Sequence, residues 1–112
     1  MARQIIIIDD NISDSNEMKL LLLGFGADVF QALRIGSAKE HLTKFKTGDI
    51  VICDFKLADG NVIELIEWLN HKNIGCSVFV ITDVETVADA VASFRAGAND
   101  YINKRLIRKL LI

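Results

Sequence analysis

Three acids, a hydroxyl and an amine in this 112-residue chain stand at or just after the ends of short strand-like stretches. Asp9 and Asp10 follow the isoleucines of residues 4–8, and Asp54 follows residues 49–53. Thr82 follows residues 77–81, and Lys104 comes just after residues 99–102. Brought together, three carboxylates repel one another, which raises a pKa or demands a cation. Hard oxygen ligands with vacant positions suit magnesium, which keeps several waters and takes one or two carboxylates. Lys104 and the Thr82 hydroxyl would add a positive charge and a donor on the far side. An anion carried on Asp54 would then be held between metal, lysine and hydroxyl, the layout of phosphoryl transfer. A carboxylate can itself be the nucleophile and form an acyl phosphate. Each residue alone has a plainer reading: Asp9-Asp10 as a solvated turn or helix cap, Asp54 as a loop acid, Thr82 as a strand-end cap, Lys104 as a snorkelling side chain. Their joint placement at four strand ends is what carries the chemical reading.

The elements that must position them follow from period and punctuation. Residues 4–8 form a continuous β-branched run, which predicts a strand buried on both faces. Ser13 or Asp14 is expected to cap the first helix, Asp14 with Glu17 fitting a capping box, Met18, Leu21 and Leu22 forming its stripe and Gly24 ending it. A weak second strand is expected at 27–31. A second helix over about 37–47 follows, with Ala38, Leu42 and Phe45 on one face and Thr47-Gly48 as its stop. The third strand spans 49–53. Asn61 caps the third helix, with Ile63, Leu65, Ile66, Trp68 and Leu69 apolar and Asn73-Ile74-Gly75 as its end. The fourth strand spans 77–81, and a fourth helix over about 85–96 turns Val87, Val91 and Phe94 inward before Gly97. The fifth strand spans 99–102, and a fifth helix begins at Arg105.

Strand and helix thus alternate five times, which predicts an α/β fold: a doubly wound parallel sheet with helices on both faces. Five strands favour the flavodoxin-like order 2-1-3-4-5. All carboxyl ends then share one rim, and the first and third strands are neighbours at the switch point where ligands bind. This puts Asp9, Asp10 and Asp54 about one strand spacing apart, roughly 5 Å.

Composition excludes several classes. Half the residues are hydrophobic and a quarter charged, which suits one globular domain. A net charge of −2 gives no basic field for nucleic acid. No apolar run nears the roughly 18 residues that cross a bilayer, and the start does not read as a signal peptide, so a cytoplasmic location is expected. Cys53 and Cys76 lack metal spacing and border apolar runs, so both are expected as reduced thiols in or near the core. The uncapped end at Leu-Leu-Ile makes residues 1–112 read as the N-terminal part of a longer protein, with its fifth helix truncated.

The ordered set Ile8-Asp9-Asp10, Asp54 with Leu57 and Asp59-Gly60, Thr82 after an apolar strand, and Ala96-Gly97-Ala98-Asn99-Asp100-Tyr101-Ile102-Asn103-Lys104 resembles the receiver domain of two-component response regulators over essentially the whole chain. The resemblance implies that Asp54 is the phosphoacceptor. It implies that Asp10 binds magnesium directly, Asp9 mainly through water, and Lys56 through its backbone carbonyl. Thr82 and Lys104 would contact the phosphoryl group, and Tyr101 would be the switch aromatic. The donor would be a phosphohistidine on a sensor histidine kinase or phosphotransfer protein. The output face would be the fourth helix, fifth strand and fifth helix, carrying Arg95, Tyr101, Arg105 and Arg108. That face would serve an output domain, an effector protein or a homodimer, with no direct nucleic-acid contact.

Three positions depart from the family pattern. Ala58 and Arg105 stand where proline is common, and Asp83 where a small residue is. Without proline, a cis bond after Lys104 would cost about 2.5–4 kcal/mol, so a trans bond or a shifted lysine is expected. Asp83 should repel a phosphoryl group or recruit a cation, and with Lys56 and Val84 it would tune the lifetime of the acyl phosphate. The departures keep a second reading open, an interaction module of this fold that signals without phosphate. An aspartyl-phosphate hydrolase is a third, disfavoured because Lys56, not an acid, stands two residues after Asp54. A flavin domain is disfavoured by the acidic loop after the first strand.

Overall fold

The isoleucine run decides the centre of the molecule. In the computed structural model, which describes residues 3–110, Ile5 to Ile8 of β1 (Gln4–Ile8) are all buried. Burying such a side chain contributes about 1.5–3 kcal/mol. Four of them in sequence leave β1 no solvent face, so helices must cover both sides. They do: β1, β2 (Asp28–Ala32), β3 (Ile50–Asp54), β6 (Ser77–Thr82) and β7 (Asp100–Asn103) form a parallel sheet in the order β2-β1-β3-β6-β7. In the count of main strands this is 2-1-3-4-5, the flavodoxin-like order expected. Strands β4 (Lys56–Leu57) and β5 (Gly60–Asn61) make a small antiparallel hairpin after Asp54.

Alternate residues feed two cores. Ile6, Ile8, Val51, Cys53, Val78 and Val80 pack against α2 (Ile35–Leu42) and α3 (Val62–His71). Ile7 and Ile81 face the other way, against Met18 of α1 (Ile12–Leu23) and, at the margin, Ile107 of α5 (Lys104–Leu110). Both cysteines are free thiols, Cys53 buried and Cys76 half-buried.

Several element ends differ from the sequence reading, each for a local reason. The cap of α1 is Asn11, whose side chain accepts from the Asp14 N–H at 3.0 Å, not Ser13 or Asp14. Asp14 is thereby released for another task. Helix α2 starts two residues before the expected point, because Asp59 caps it from a distant loop, and ends at Leu42, where 3₁₀-like bonds to His41 and Leu42 carbonyls tighten the chain. Phe45 stays buried all the same. The third strand begins at Ile50, since the buried Asp49 carboxylate instead accepts from the Gln4 and Lys46 backbone N–H groups.

The largest correction concerns α4 (Val87–Ala96), which is capped by Thr86. Val87, Val91 and Phe94 do not turn inward: they are 81%, 42% and 49% exposed. The inner face is built from small residues instead, with Ser93 fully buried and its hydroxyl donating to the Asp89 carbonyl at 2.8 Å. The helix ends at Gly97 with φ 122°, where a Cβ would meet Ile66 of α3 at 3.5 Å. The fifth helix begins at Lys104, one residue early, and among the described residues every peptide bond is trans. Its expected last residues, 111 and 112, lie outside the described residues.

Candidate functional site

The parallel register brings the strand ends to one rim. Ile8 pairs with Cys53, so the residues that follow, Asp9 and Asp54, stand side by side at the switch point between β1 and β3. Ligand oxygens of Asp9, Asp10 and Asp54 all lie within 4.8 Å of one another. Asp9 is fully buried, Asp54 partly, and Asp10 exposed. The chain turns sharply here: the Asp9 N–H donates to the Ala32 carbonyl at 3.0 Å, and Asp9 Oδ1 accepts from the Asn11 N–H at 3.0 Å.

Lys104 enters from the opposite side and is buried, as a lysine is only when paired. Its ammonium lies 2.8 Å from Asp9 Oδ2, 3.1 Å from Asp54 Oδ2 and 3.1 Å from Asp14 Oδ2. The approach to Asp9 has the distance of an ion pair without the alignment of a hydrogen bond. Asp9 Oδ2 therefore remains a buried acceptor with no hydrogen-bond partner. Burial works against the charged lysine, but the carboxylates of Asp9 and Asp54 outweigh it and raise the ammonium pKa. Burial also pushes the Asp54 carboxyl above its ordinary 3.8, opposed by Lys104 and reinforced by Asp9 and Asp10.

Three carboxylates whose oxygens lie within 4.8 Å of one another, more negative charge than Lys104 alone neutralises, are an all-oxygen donor set that fits a hard divalent cation such as magnesium. Asp9, Asp10 and Asp54 would hold it. Lys56 lies in the hairpin after Asp54, where it pairs with Asn61, and its side chain is exposed. The hairpin is fastened to the sheet by the Phe55 N–H, which donates to the Ile81 carbonyl at 2.9 Å.

Thr82 ends β6 and is buried, but its hydroxyl is engaged within its own loop. It donates to the Val84 carbonyl at 3.0 Å and accepts from the Val84 N–H at 3.2 Å. Tyr101 packs half-buried against the larger core, and its hydroxyl accepts from the Thr86 N–H at 3.4 Å. Val84 is exposed at the loop's edge.

Sequence reasoning missed three residues. Asp14 was assigned to capping, yet it is buried beside Lys104 and receives Arg108 Nη2 at 3.0 Å. Burial alone would raise its pKa, but Arg108 and Lys104 together lower it. Arg108, placed on an output face, also reaches Asp83 at 3.2 Å. Asp59 accepts from the Ile35 and Gly36 N–H groups at 3.1 and 2.9 Å, tying the turn after Asp54 to α2. Nothing local in the sequence shows that Asp59 caps α2 or that Arg108 reaches Asp14.

Of the three departures, two have visible consequences. The Arg105 N–H, which proline would lack, donates to Asn103 Oδ1 at 2.8 Å. The Asp83 charge is met by Arg108. Nothing in the structure gives exposed Ala58 a particular role.

The family described as response regulator receiver domain matches residues 5–112. Transcriptional regulatory protein VxrB of Vibrio cholerae is 33% identical over 105 residues, covering 93% of this chain and 41% of its own length. Transcriptional regulatory protein ZraR of Klebsiella oxytoca is 32% identical over 102 residues, covering 91% and 23%. The chain thus spans less than half the length of these curated relatives. A crystal structure of a CheY-like response regulator receiver domain protein from Methanospirillum hungatei superposes with a TM-score of 0.85 at 27% identity, over 99% of this chain and 89% of that one.

Proposed function

Since the chain belongs to the response regulator receiver family, we propose that it accepts a phosphoryl group on Asp54 from a phosphohistidine of a sensor histidine kinase or phosphotransfer protein. The observation that carries this is the meeting of Asp9, Asp10 and Asp54 within 4.8 Å, with Lys104 3.1 Å from the acceptor carboxylate. A carboxylate oxygen of Asp54 forms the new O–P bond as the N–P bond breaks, and the imidazole leaves. A bound magnesium ion supplies neutralisation of charge on the transferred group. The protein's own part is placement: Asp9, Asp10 and Asp54, with the Lys56 carbonyl, would hold the cation, and Lys104 waits beside the acceptor. Thr82 turns from Val84 to the phosphoryl oxygens, and Tyr101 follows the movement of that loop. Asp83, Val84 and Lys56 set how readily water reaches the acyl phosphate. No external substrate is expected; hydrolysis of the acyl phosphate resets the domain.

The output is a shift between two arrangements of one surface. Val87, Val91 and Phe94 leave an apolar stripe on α4, and Leu106 of α5 is 56% exposed. That face suits an output domain, an effector or a second copy. We read residues 1–112 as the receiver portion of a longer regulator, as the names of its relatives suggest, acting in the cytoplasm. Among the described residues no helix is long and apolar enough to cross a membrane. The phosphate-independent reading rested on Asp83, Arg105 and Ala58. With Asp83 neutralised by Arg108 and the Arg105 N–H satisfied, the first two leave Lys104 in contact with Asp54.

Incubation with acetyl phosphate and magnesium tests the reading by intact mass. Wild type should gain one phosphoryl group, and neither Asp54→Asn nor magnesium-free wild type should. Equal labelling of Asp54→Asn sinks the assignment of the acceptor. Labelling of Asp83→Ala at wild-type rates of gain and loss sinks the tuning role of Asp83.

A further inference from the structure

A line of alternating charges leaves the acceptor and crosses the molecule. From Asp54 it passes to Lys104 at 3.1 Å, to Asp14 at 3.1 Å, to Arg108 at 3.0 Å and to Asp83 at 3.2 Å. These residues belong to β3, α5, α1, α5 again and the loop after Thr82. The line therefore joins the acceptor to the segment that carries Thr82's present hydrogen-bond partner, Val84.

The burial along the line is graded. The side chains of Lys104 and Asp14 are 4% and 10% exposed, that of Arg108 40% and that of Asp83 52%. A buried carboxylate needs full compensation, because charges in low dielectric interact strongly and are costly when unpaired. Asp14 shares its lysine with two other acids, so Arg108 supplies the remainder. The outer pair, Arg108 with Asp83, is well hydrated and correspondingly weak. The outer contact is thus the one that can break at least cost.

Resting on the phosphoryl reading above, we propose that Asp14 and Arg108 are positioning residues that relay the charge of Asp54 to Asp83 and hold the loop after Thr82 in its resting place. A phosphoryl group on Asp54 carries more negative charge than the carboxylate it replaces, about −1.5 to −2. It draws Lys104 away from Asp14. Asp14 then takes Arg108 wholly, and the exposed contact to Asp83 breaks. The loop is freed to carry Thr82 inward.

The relay predicts a coupling that simple repulsion between Asp83 and a phosphoryl group does not. The test is a titration of the magnesium-loaded protein with beryllofluoride, followed by the backbone amide resonances of Val84 and Thr86, in wild type, Asp83→Ala, Arg108→Ala and the double variant. Asp83 is exposed and its substitution should leave folding intact; Arg108→Ala leaves the buried Asp14 with Lys104 alone, so if that variant does not fold, Asp14→Asn with Arg108→Ala, which removes the uncompensated charge, takes its place in the cycle. Asp83→Ala should lower the half-maximal concentration about two- to fivefold, the scale of one exposed ion pair. In the Arg108→Ala background the same substitution should have no effect, because the relay is already cut. If Asp83→Ala acts equally or more strongly without Arg108, direct repulsion is the cause and the relay is overturned. An unchanged midpoint in Asp83→Ala overturns it too, while leaving the phosphoryl reading intact. A wild type that does not respond to beryllofluoride overturns both.

Discussion

Two aspartates that share one lysine carry opposite signs of strain. Asp54 has its pKa raised by burial and by Asp9 and Asp10, so the folded state binds its proton more tightly than the unfolded state does. Its charge therefore subtracts stability above the raised pKa and has no effect well below 3.8. In metal-free buffer, Asp54→Asn should be more stable than wild type at pH 7, and the advantage should shrink as pH falls toward 3.8. Asp14 is the reverse. Its pKa is lowered by Arg108 and Lys104 against the effect of burial, so its contribution is present above 3.8 and is lost as pH falls through the lowered value. Asp14→Asn should be the less stable protein at pH 7 and approach wild type in acid. Urea unfolding of the three proteins at pH 7 and near pH 4 decides the matter. A wild type more stable than Asp54→Asn at pH 7 would mean that Lys104 alone compensates the crowded acids.

At the scale of elements, what was legible in the sequence is what a local rule governs. The apolar runs at 4–8, 49–53 and 77–81 marked their strands to within a residue, and Asn61 its own helix start, its side chain accepting from the Glu64 N–H at 3.2 Å. Helix α2 was misplaced because its cap comes from Asp59, more than twenty residues away. Helix α4 was misread because apolar size was taken for burial, although its inner face needs Ser93 and neighbouring alanines to approach α3 closely. The strand ends converged as expected because register follows from topology. The pairing of Asp14 with Arg108 is not legible because a contact between α1 and α5 has no signature along the chain. The remote cap makes a prediction of its own. Asp59→Ala removes the acceptor for two N–H groups of α2 and should cost about 1 kcal/mol, the worth of a helix cap. Because Asp59 also anchors the hairpin that follows Asp54, amide exchange should quicken both at Ile35 and Gly36 and at Phe55. Faster exchange in α2 alone would separate the cap from the acceptor loop.

At the scale of the whole molecule, one sheet supplies both the stability and the site, so ligand binding must be read out globally. The acids at the rim extend from β1 and β3, the central strands, whose neighbouring residues form the most buried part of the core. A cation that relieves their repulsion binds only where the two strands are aligned, which is only in the folded state. Its free energy then adds directly to folding stability, as RT ln(1 + [L]/Kd), or about 1.4 kcal/mol at ten times Kd. For a domain of this size that corresponds to a rise of roughly 5 °C in Tm. Magnesium should therefore raise the Tm of wild type by this order and saturate. In Asp9→Asn, which removes one of the three clustered carboxylates, the rise should be largely lost. Calcium offers a control, since a looser, larger ion tolerates the same oxygens with less demand on geometry. Calorimetry with increasing magnesium, on wild type and Asp9→Asn, tests the assignment without any phosphoryl donor. An equal shift in both proteins would mean that the ion binds elsewhere on this acidic surface. No shift in wild type would mean that Lys104 already neutralises the rim, and that its three acids compensate the lysine and hold no metal.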